Sequence, residues 1–333
     1  MELSYSFIIP VFNRPQEIEE LLASMAKQTF PKSFEVVIVE DGSTDSSETI
    51  TKKYNKDLNI SYYFKQNSGP GDSRNYGMKR AKGNYFIILD SDCILPPEYL
   101  TEVDIFLSKT YVNAFGGPDT AHISFTDLQK AISYAMTSFL TTGGIRGHKR
   151  AVNRFQPRSF NMGISRKVFE ITRGFGNIHP GEDPDLTIRI WKSGFDTAFI
   201  ENAFVYHKRR ISWEKFYKQV KKFGLVRPIL NKWHPDTKKA TYWFPTLFII
   251  GLFMSAGLIL FNLYMPILLY LVYFIILFID ALIKNKNLKI AVFALYAVFI
   301  QFWGYGYGFL RSNILLKFSK KEPEEVFPEL FFE

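Results

Sequence analysis

Cysteine is almost missing from this chain of 333 residues, because Cys93 is the only one. A single cysteine excludes an intrachain disulfide and a metal site built from several cysteines. The first residues, Met1 to Ser4, show no basic region followed by an apolar one, so the sequence predicts no secretory signal peptide. Both absences favour an N-terminal domain that stays in the reducing cytoplasm.

The sequence patterns of nucleic-acid-binding proteins are also missing. We find no helix-turn-helix, zinc-finger or RNP-like pattern, so nucleic acid is not expected as a partner. The formal charge of +9 nevertheless indicates an anionic partner, which could be lipid head groups or a phosphorylated substrate.

The first third of the chain predicts strands that alternate with helices. Short apolar runs rich in strand formers are separated by segments with apolar residues at helical spacing. The predicted strands are 5–12, 34–40, 60–64 and 85–89, and the predicted helices are 15–26, 46–54 and 73–81. This order predicts an α/β fold with a mostly parallel sheet and helices on both faces. Further along, we expect helices at 128–140 and 185–192 and a strand around 197–206.

Acidic turns directly follow two of the predicted strands. The turn 41–45 has the sequence Asp-Gly-Ser-Thr-Asp, and the turn 90–92 has the sequence Asp-Ser-Asp. Ligands of such sheets bind beyond the carboxyl ends of the strands, and carboxylates are suitable ligands for a divalent cation. The simpler alternative at both places is an ordinary solvated turn.

A glycine-rich loop, 69–75 (Gly-Pro-Gly-Asp-Ser-Arg-Asn), precedes the predicted helix 73–81. Its backbone N–H groups and Arg74 could lie near a phosphate. The alternative is a capped helix start, with Asp72 or Ser73 as the cap.

Three hydrophobic segments, Phe244 to Phe261, Tyr264 to Ile283 and Ile290 to Leu310, predict membrane attachment. Each is about long enough to cross a bilayer, which takes about 20 residues. Basic residues flank every segment, so three full crossings would conflict with the positive-inside tendency. One resolution is that the third segment, loosened by its glycines at 304, 306 and 308, is re-entrant or interfacial.

Basic and aromatic residues alternate from about 208 to 239, just before these segments. Such a composition suits an interfacial helix on anionic lipid, although an ordinary solvated helix fits equally well. We therefore predict a catalytic domain at 1–235, a membrane region of two to three hydrophobic helices at 240–318, and a C-terminal tail at 319–333.

Together the motifs resemble the family 2 glycosyltransferases of the GT-A fold. The matching pieces, in family order, are 8–14 (IIPVFNR), 39–45 (VEDGSTD), 69–77, 89–92 (LDSD), 161–163 (NMG), 173–175 (RGF) and 181–183 (GED). Each piece is weak alone, but the ordered set is specific. The resemblance covers roughly Ser4 to His207, and it implies a Rossmann-like, nucleotide-diphospho-sugar transferase domain followed by transmembrane helices.

The resemblance also implies roles for individual residues. Asp41 contacts the nucleobase or ribose, Asp92 binds a metal ion, and Asp90 binds the metal ion or the ribose. His207 completes the metal site, and Asp183 is the general base. Further donor-binding residues implied by the matching motifs are Pro10, Asn13 and Arg74.

Two of these roles have alternatives that the residues leave open. Asp183 directly precedes Pro184, which is the position of a helix N-cap. His207 could be a surface histidine beside Lys208.

The activity implied by the resemblance is an inverting sugar transfer that depends on Mn²⁺ or Mg²⁺. The donor would be UDP- or GDP-linked, and the acceptor a lipid-linked saccharide at the cytoplasmic membrane, with the catalytic domain on the cytoplasmic side. The alternatives are a polyprenyl-phosphate glycosyltransferase and a catalytically silent, membrane-tethered binding module. Processive members carry a Gln-x-x-Arg-Trp motif, of which 219–223 keeps only the glutamine. This departure argues against a synthase that extrudes a polymer.

Overall fold

A computed structural model describes residues 2–122, 124–143, 155–208 and 212–332. The chain divides into two compact units. The first unit consists of Met1–His122, Gly147–Lys208 and Phe331–Glu333, and the second consists of Ile123–Arg146 and Arg209–Leu330. This division by packing places residues 209–235 in the second unit. The functional domain boundaries given above stay a prediction.

Two sheets form the frame of the first unit, a large one in the order β3-β2-β1-β4-β8-β6-β9 and a small one in the order β5-β10-β7. In the large sheet β8 runs antiparallel to β4 and β6, and the other neighbours are parallel, as predicted. The strands are β1 (Tyr5–Val11), β2 (Glu35–Asp41), β3 (Asn59–Lys65), β4 (Tyr85–Ile88), β5 (Cys93–Ile94), β6 (Ala114–Gly116), β7 (Asp119–Thr120), β8 (Met162–Ser165), β9 (Thr197–Phe199) and β10 (Val205–His207).

The helices of the whole chain are α1 (Pro15–Met25), α2 (Glu48–Lys53), α3 (Pro70–Arg80), α4 (Tyr99–Lys109), α5 (Asp127–Thr137), α6 (Phe139–Thr142), α7 (Arg166–Thr172), α8 (Glu182–Lys192), α9 (Trp213–Trp233), α10 (Phe244–Leu258), α11 (Met265–Asn285), α12 (Leu288–Phe318) and α13 (Pro323–Val326). The predicted alternation of strands and helices over residues 5–89 is confirmed. Helix α3 begins earlier than predicted, at Pro70, because a proline fits the first helical turn, where its missing N–H needs no partner.

The predicted strand at 197–206 is wrong as a single strand. A turn, closed by a hydrogen bond from the Ala203 amide to the Ile200 carbonyl (3.2 Å), separates β9 from β10. The two strands belong to different sheets. The consequence for the site is that His207 lies in the small sheet.

Alternate residues of the central strands are buried on opposite faces of the large sheet. Phe7 and Ile9 of β1 belong to the core with α1 and α4, whereas Ile8 packs in the core with α3, α7 and α8. Side chains of a strand alternate between the two faces, so these nearly continuous apolar strands require a helical layer on each side. The sheet is therefore a rigid frame that positions the loops at its carboxyl edge.

In the second unit, α10 and α11 form an antiparallel hairpin. The Tyr270 hydroxyl donates to the Phe248 carbonyl at 2.9 Å, and Asn262 at the turn has the left-handed φ of +57°. The helices at Ala240–Phe261, Met265–Asn285 and Leu288–Phe318 are long and apolar enough to cross a membrane. These three segments agree with the predicted hydrophobic segments.

Helix α12 continues without a break through its glycines over 31 residues. A Cβ at Gly304 would lie 2.6 Å from the Val220 side chain, and one at Gly308 would lie 2.3 Å from the Lys221 carbonyl, both on α9. Small residues allow two helix backbones to approach closely. The glycines therefore pack α12 tightly against α9, and the expectation that they loosen the segment is wrong.

Candidate active site

Asn13 joins the loops that follow β1 and β2. Its side-chain oxygen accepts hydrogen bonds from the amides of Thr44 (2.9 Å) and Asp45 (3.0 Å), and its own amide donates to the Ser43 hydroxyl at 2.8 Å. Pro10, the other predicted donor-binding residue of β1, is paired in register with Val39 of β2. These contacts fix the carboxyl ends of two neighbouring strands side by side.

Asp41, at the end of β2, shapes the loop 65–69. Its carboxylate accepts from the Lys65 ammonium at 2.7 Å and from the amides of Ser68 (3.1 Å) and Gly69 (2.9 Å). Asp41 is 3% exposed, so burial makes these bonds count more than they would in water. Asp41 is thus engaged by the protein, and its contact with a nucleobase or ribose stays a prediction.

Phe332 from the end of the chain lies over this loop. Its amide donates to the Asn177 carbonyl at 3.0 Å, and its ring lies 2.4 Å from the place where a Cβ on Gly69 would be. Gly69 also has a φ of +91°, which only glycine adopts without strain. Both the conformation and the close ring therefore require glycine beside the Asp41 carboxylate.

Arg74 on α3 forms a buried ion-pair group with Asp90 and Glu182. Its guanidinium donates to Asp90 Oδ1 at 2.7 Å and to Glu182 Oε1 at 3.0 Å, and Arg74 is only 3% exposed. The ring of Phe175 lies under the guanidinium at 5.1 Å. The predicted contact of Arg74 with phosphate stays a prediction, because in this structure the guanidinium joins two carboxylates.

Glu182 is ionised in spite of its burial. Burial acts to raise the pKa of its carboxyl, but His179 and Arg74 outweigh that effect and lower the pKa to about 2. His179 Nδ1 lies 3.0 Å from Glu182 Oε1. The group therefore places a negative charge directly before Asp183 at neutral pH.

Asp92 and His207 meet in a second group. His207 Nε2 lies 3.2 Å from Asp92 Oδ1, and Arg14 Nη1 lies 3.2 Å from Asp92 Oδ2. On the far side of the imidazole, Asp119 Oδ2 lies 3.9 Å from Nδ1. The pairing of β5 with β10, which sets His207 opposite Cys93, brings these residues together from distant parts of the chain.

Among the described residues, Asp92, Cys93 and His207 offer ligand atoms that lie within 4.8 Å of one another. A carboxylate with an imidazole is a suitable donor pair for a divalent cation, and a carboxylate behind the imidazole is the usual outer partner of a metal-binding histidine. Burial raises the pKa of the Cys93 thiol well above its ordinary value, which disfavours the thiolate that metals bind. Asp92 and His207 thus provide a donor pair that suits a divalent cation. Both aspartates also pair with an arginine, Asp92 with the half-exposed Arg14 and Asp90 with the buried Arg74.

Asp183 lies in the first turn of α8, but it is not the cap. The helix begins at Glu182, and Gly181, with a φ of +123°, has the N-cap position. The structure therefore removes the alternative that Asp183 is needed as an N-cap. Its carboxylate lies 3.7 Å from Arg158 Nη1, and its side chain is 17% exposed.

The predicted site residues lie in the first unit, where contacts or neighbouring positions in the chain link them. Arg14 and Asn13 link the end of β1 to Asp92 and to the β2 loop, and Arg74 links Asp90 to the neighbour of Asp183. Several residues of this region were not predicted as site residues from the sequence; they are Lys65, Asp119, Arg158, His179, Glu182 and Phe332. The sequence held a signal for two of them, because Lys65 directly follows the predicted strand 60–64 and Glu182 lies in the matching piece 181–183. His179 contacts Glu182 three residues along the chain, whereas Asp119, Arg158 and Phe332 are brought in by contacts with distant residues.

Comparison with known proteins identifies relatives of this region. Residues 6–171 match the family described as Glycosyl transferase family 2. The poly(ribitol-phosphate) beta-N-acetylglucosaminyltransferase TarS of Staphylococcus aureus is 40% identical over 110 residues, which cover 32% of this chain and 19% of that protein. An uncharacterized glycosyltransferase of Rickettsia felis is 36% identical over 136 residues, which cover 41% of this chain and 22% of that protein. The chain thus spans about a fifth of the length of these curated relatives.

Among solved structures, a mannosyltransferase from Pyrobaculum calidifontis, solved with GDP-Man and Mn²⁺, superposes with a TM-score of 0.58. The two chains are 16% identical, and the superposition covers 96% of this chain and 89% of the other. At this identity the likeness shows a shared fold, and it confirms the predicted fold class.

Proposed function

Because the chain belongs to the family 2 glycosyltransferases, we propose that it transfers a sugar from a nucleotide-sugar donor to an acceptor at a membrane, with inversion at the anomeric carbon. The observation that carries this proposal is the Asp92–His207 pair, 3.2 Å apart, at the carboxyl edge of the sheet. It lies in the same connected region as Asp183, so a site for a cation and a candidate base occur together.

Asp92 and His207 are the proposed ligands of a divalent cation, Mn²⁺ or Mg²⁺. Such a cation neutralises the diphosphate of a nucleotide sugar as it leaves. Asp90 remains as a ribose or metal contact in the proposal, with its orientation fixed by Arg74. The Asp41 loop, with Pro10 and Asn13, is the proposed site of the nucleoside of a UDP- or GDP-linked donor.

Asp183 is the proposed general base. Its carboxylate is partly exposed, it is not the N-cap of α8, and it lies 3.7 Å from Arg158 Nη1. Asp183 would accept the proton of the acceptor hydroxyl as that oxygen attacks the sugar from the face opposite the leaving group. A single attack of this kind inverts the anomeric carbon and forms no covalent enzyme intermediate.

The acceptor that we propose is a membrane-associated, lipid-linked saccharide, as in the assembly of surface polysaccharides. Support comes from the hydrophobic helices and from TarS, whose name describes transfer to poly(ribitol-phosphate). A polyprenyl phosphate is the alternative acceptor, and a lipid-phosphate sugar as the product would identify it. A silent binding module is the other alternative, and it would bind donor without releasing nucleotide.

We further propose that the chain resides in the cytoplasmic membrane with its catalytic unit on the cytoplasmic side. Helix α12 packs along α9, which carries Lys218, Lys221 and Lys222, and such charges are costly in hydrocarbon. Only the α10–α11 hairpin would then cross, and every basic cluster would lie on one side, as the positive-inside tendency requires.

Labelling introduced cysteines with an impermeant maleimide in oriented vesicles tests this topology. We expect Lys320→Cys to react from the cytoplasmic side and Leu263→Cys, at the hairpin turn, from the opposite side. Reaction of both from the same side would contradict the proposal. The native Cys93 is buried and gives a low background.

The substitution Asp183→Asn tests the catalytic proposal. A screen of UDP- and GDP-sugars in native membranes should first identify a donor from which the wild-type chain releases nucleotide in the presence of Mn²⁺ or Mg²⁺. The variant should then lose transfer by roughly 100-fold or more, because general base catalysis contributes about that much, while donor affinity stays nearly unchanged. Asp196→Asn, an exposed carboxylate of the same unit, is the matched control. A parallel loss of donor binding in Asp183→Asn would contradict the assignment of Asp183 as the base.

A further inference from the structure

A cavity of about 640 Å³ lies within the second unit, between α9, the segment 235–243 and the last turns of α12. Four lysines line it, and its inner wall is apolar. The lysines are Lys232, Lys238, Lys239 and Lys317, and the apolar side chains include Pro228, Phe309 and Leu316. The cavity thus combines a cationic rim with a hydrophobic floor.

The charge of this rim is only partly neutralised. Lys232 pairs with Glu322 at 2.8 Å, and Asp236 lies in the adjoining segment 235–239. The lining itself contains four lysines and, within the described part of the chain, no carboxylate. Asn231 adds a side-chain oxygen that is buried in the cavity wall and, among the described residues, has no hydrogen-bond partner. The cavity thus offers positive charge for an anion and an acceptor for a hydroxyl.

The cavity is lined by a part of the chain that we expect at a membrane interface. Trp243 lines it, and the first helix of the hairpin, α10, begins at the next residue, Phe244. Tryptophan and lysine at the start of a membrane-crossing helix are typical of the headgroup level of a bilayer. The last turns of α12 at this place run beside the charged helix α9, which belongs outside the hydrocarbon.

We propose that this cavity binds the headgroup of an anionic membrane lipid, with the lysines on the phosphodiester and Asn231 on a headgroup hydroxyl. Leu316 would contact the first carbons of the acyl chains. Basic pockets at this depth attract anionic headgroups, and each lysine near the membrane surface adds to the attraction. The ligand is a structural lipid, so the proposal stands apart from sugar transfer and its acceptor.

Native mass spectrometry of the full chain in detergent tests the proposal. Delipidated protein is titrated with phosphatidylglycerol, with phosphatidylcholine, or with phosphatidylglycerol in the presence of inorganic phosphate. The test variant is Lys238→Gln/Lys239→Gln/Lys317→Gln. The control variant, Lys215→Gln/Lys218→Gln/Lys222→Gln, removes the same formal charge from α9 away from the cavity.

The wild type and the control should retain phosphatidylglycerol over phosphatidylcholine, and the test variant should bind phosphatidylglycerol roughly tenfold more weakly or worse. The corresponding triple substitution to arginine should keep the affinity, and it shows that a loss in the glutamine variant is one of charge and not of folding. Equal losses in test and control variants, no preference for phosphatidylglycerol, or displacement of the lipid by inorganic phosphate would each overturn the proposal. Nucleotide release by the glutamine variant in detergent should stay at the wild-type level, so this test can fail without the proposed transferase failing.

Discussion

The first unit contains two acidic groups that are neighbours in sequence and differ in construction. Asp90 and Asp92 are two residues apart, yet Asp90 pairs with the buried Arg74, whereas Asp92 meets His207 and the half-exposed Arg14. In the first group the guanidinium is 3% exposed, and Glu182 on its other side is equally buried. One turn therefore supplies a carboxylate that is paired with a buried arginine and a carboxylate that we propose as a metal ligand.

This difference teaches that an Asp-x-Asp turn does not by itself define two metal ligands. The Asp90 carboxylate pairs with a buried guanidinium, and removing one partner of such an ion pair is costly because it leaves a buried charge uncompensated. Asp92 lies beside an imidazole that has a second carboxylate, Asp119, behind the ring, and this is an arrangement that suits a cation. We therefore expect the two aspartates to respond differently when each is neutralised.

The largest expected effect distinguishes the two groups through Asp92→Asn and Asp90→Asn. Asp92→Asn should abolish Mn²⁺ binding and lower metal-dependent nucleotide release by roughly 100-fold or more, because the cation supplies several kcal/mol of charge stabilisation. Asp90→Asn should retain Mn²⁺ binding and lose less activity. Electron paramagnetic resonance of added Mn²⁺ measures the binding independently of turnover.

Asp57→Asn, an exposed carboxylate of the same unit, controls for the loss of one charge. Equal loss of Mn²⁺ binding in Asp90→Asn and Asp92→Asn would remove the distinction between the two groups. The Asp90 carboxylate would then be a ligand in spite of its ion pair with Arg74.

The sequence predicts the frame of the site better than its internal contacts. The strands and helices up to residue 89 follow from local periodicity, and the acidic turns follow from strand ends, so Asp41, Asp90 and Asp92 could be placed at one sheet edge in advance. The meeting of Asp92 with His207 depends on pairing between β5 and β10, whose residues are more than 100 positions apart. No local pattern specifies such a pairing, and here the resemblance to a family supplied it.

The partners of Arg74 likewise could not be predicted from the local sequence. An arginine in a glycine-rich loop before a helix suggests a phosphate contact, because the free backbone N–H groups of a helix start favour an anion. Glu182 reaches Arg74 from 108 positions along the chain, and only the folded sheet brings them together. Likewise, the sequence of α12 alone suggests that its glycines loosen the helix. Their close packing against α9 can be recognised only when both helices are known.

The smallest expected effect concerns the stability of the buried group in acid. The pKa of Glu182 is about 2 in the folded chain against 4.5 for the unperturbed carboxyl. A lowered folded pKa means that its stabilising contribution is complete above about pH 4.5 and is lost as the pH falls towards 2. This loss of stability amounts to about 2 kcal/mol or less by about pH 3.

Unfolding midpoints of the detergent-solubilised chain between neutral pH and about pH 3 should fall more steeply for the wild type than for Glu182→Gln. Glu48→Gln, at the exposed pair with Lys52, should follow the wild type. Parallel curves for the wild type and Glu182→Gln would mean that Arg74 and His179 do not hold this carboxyl ionised, and the contrast between a fixed group and an exchangeable one would lose its electrostatic basis.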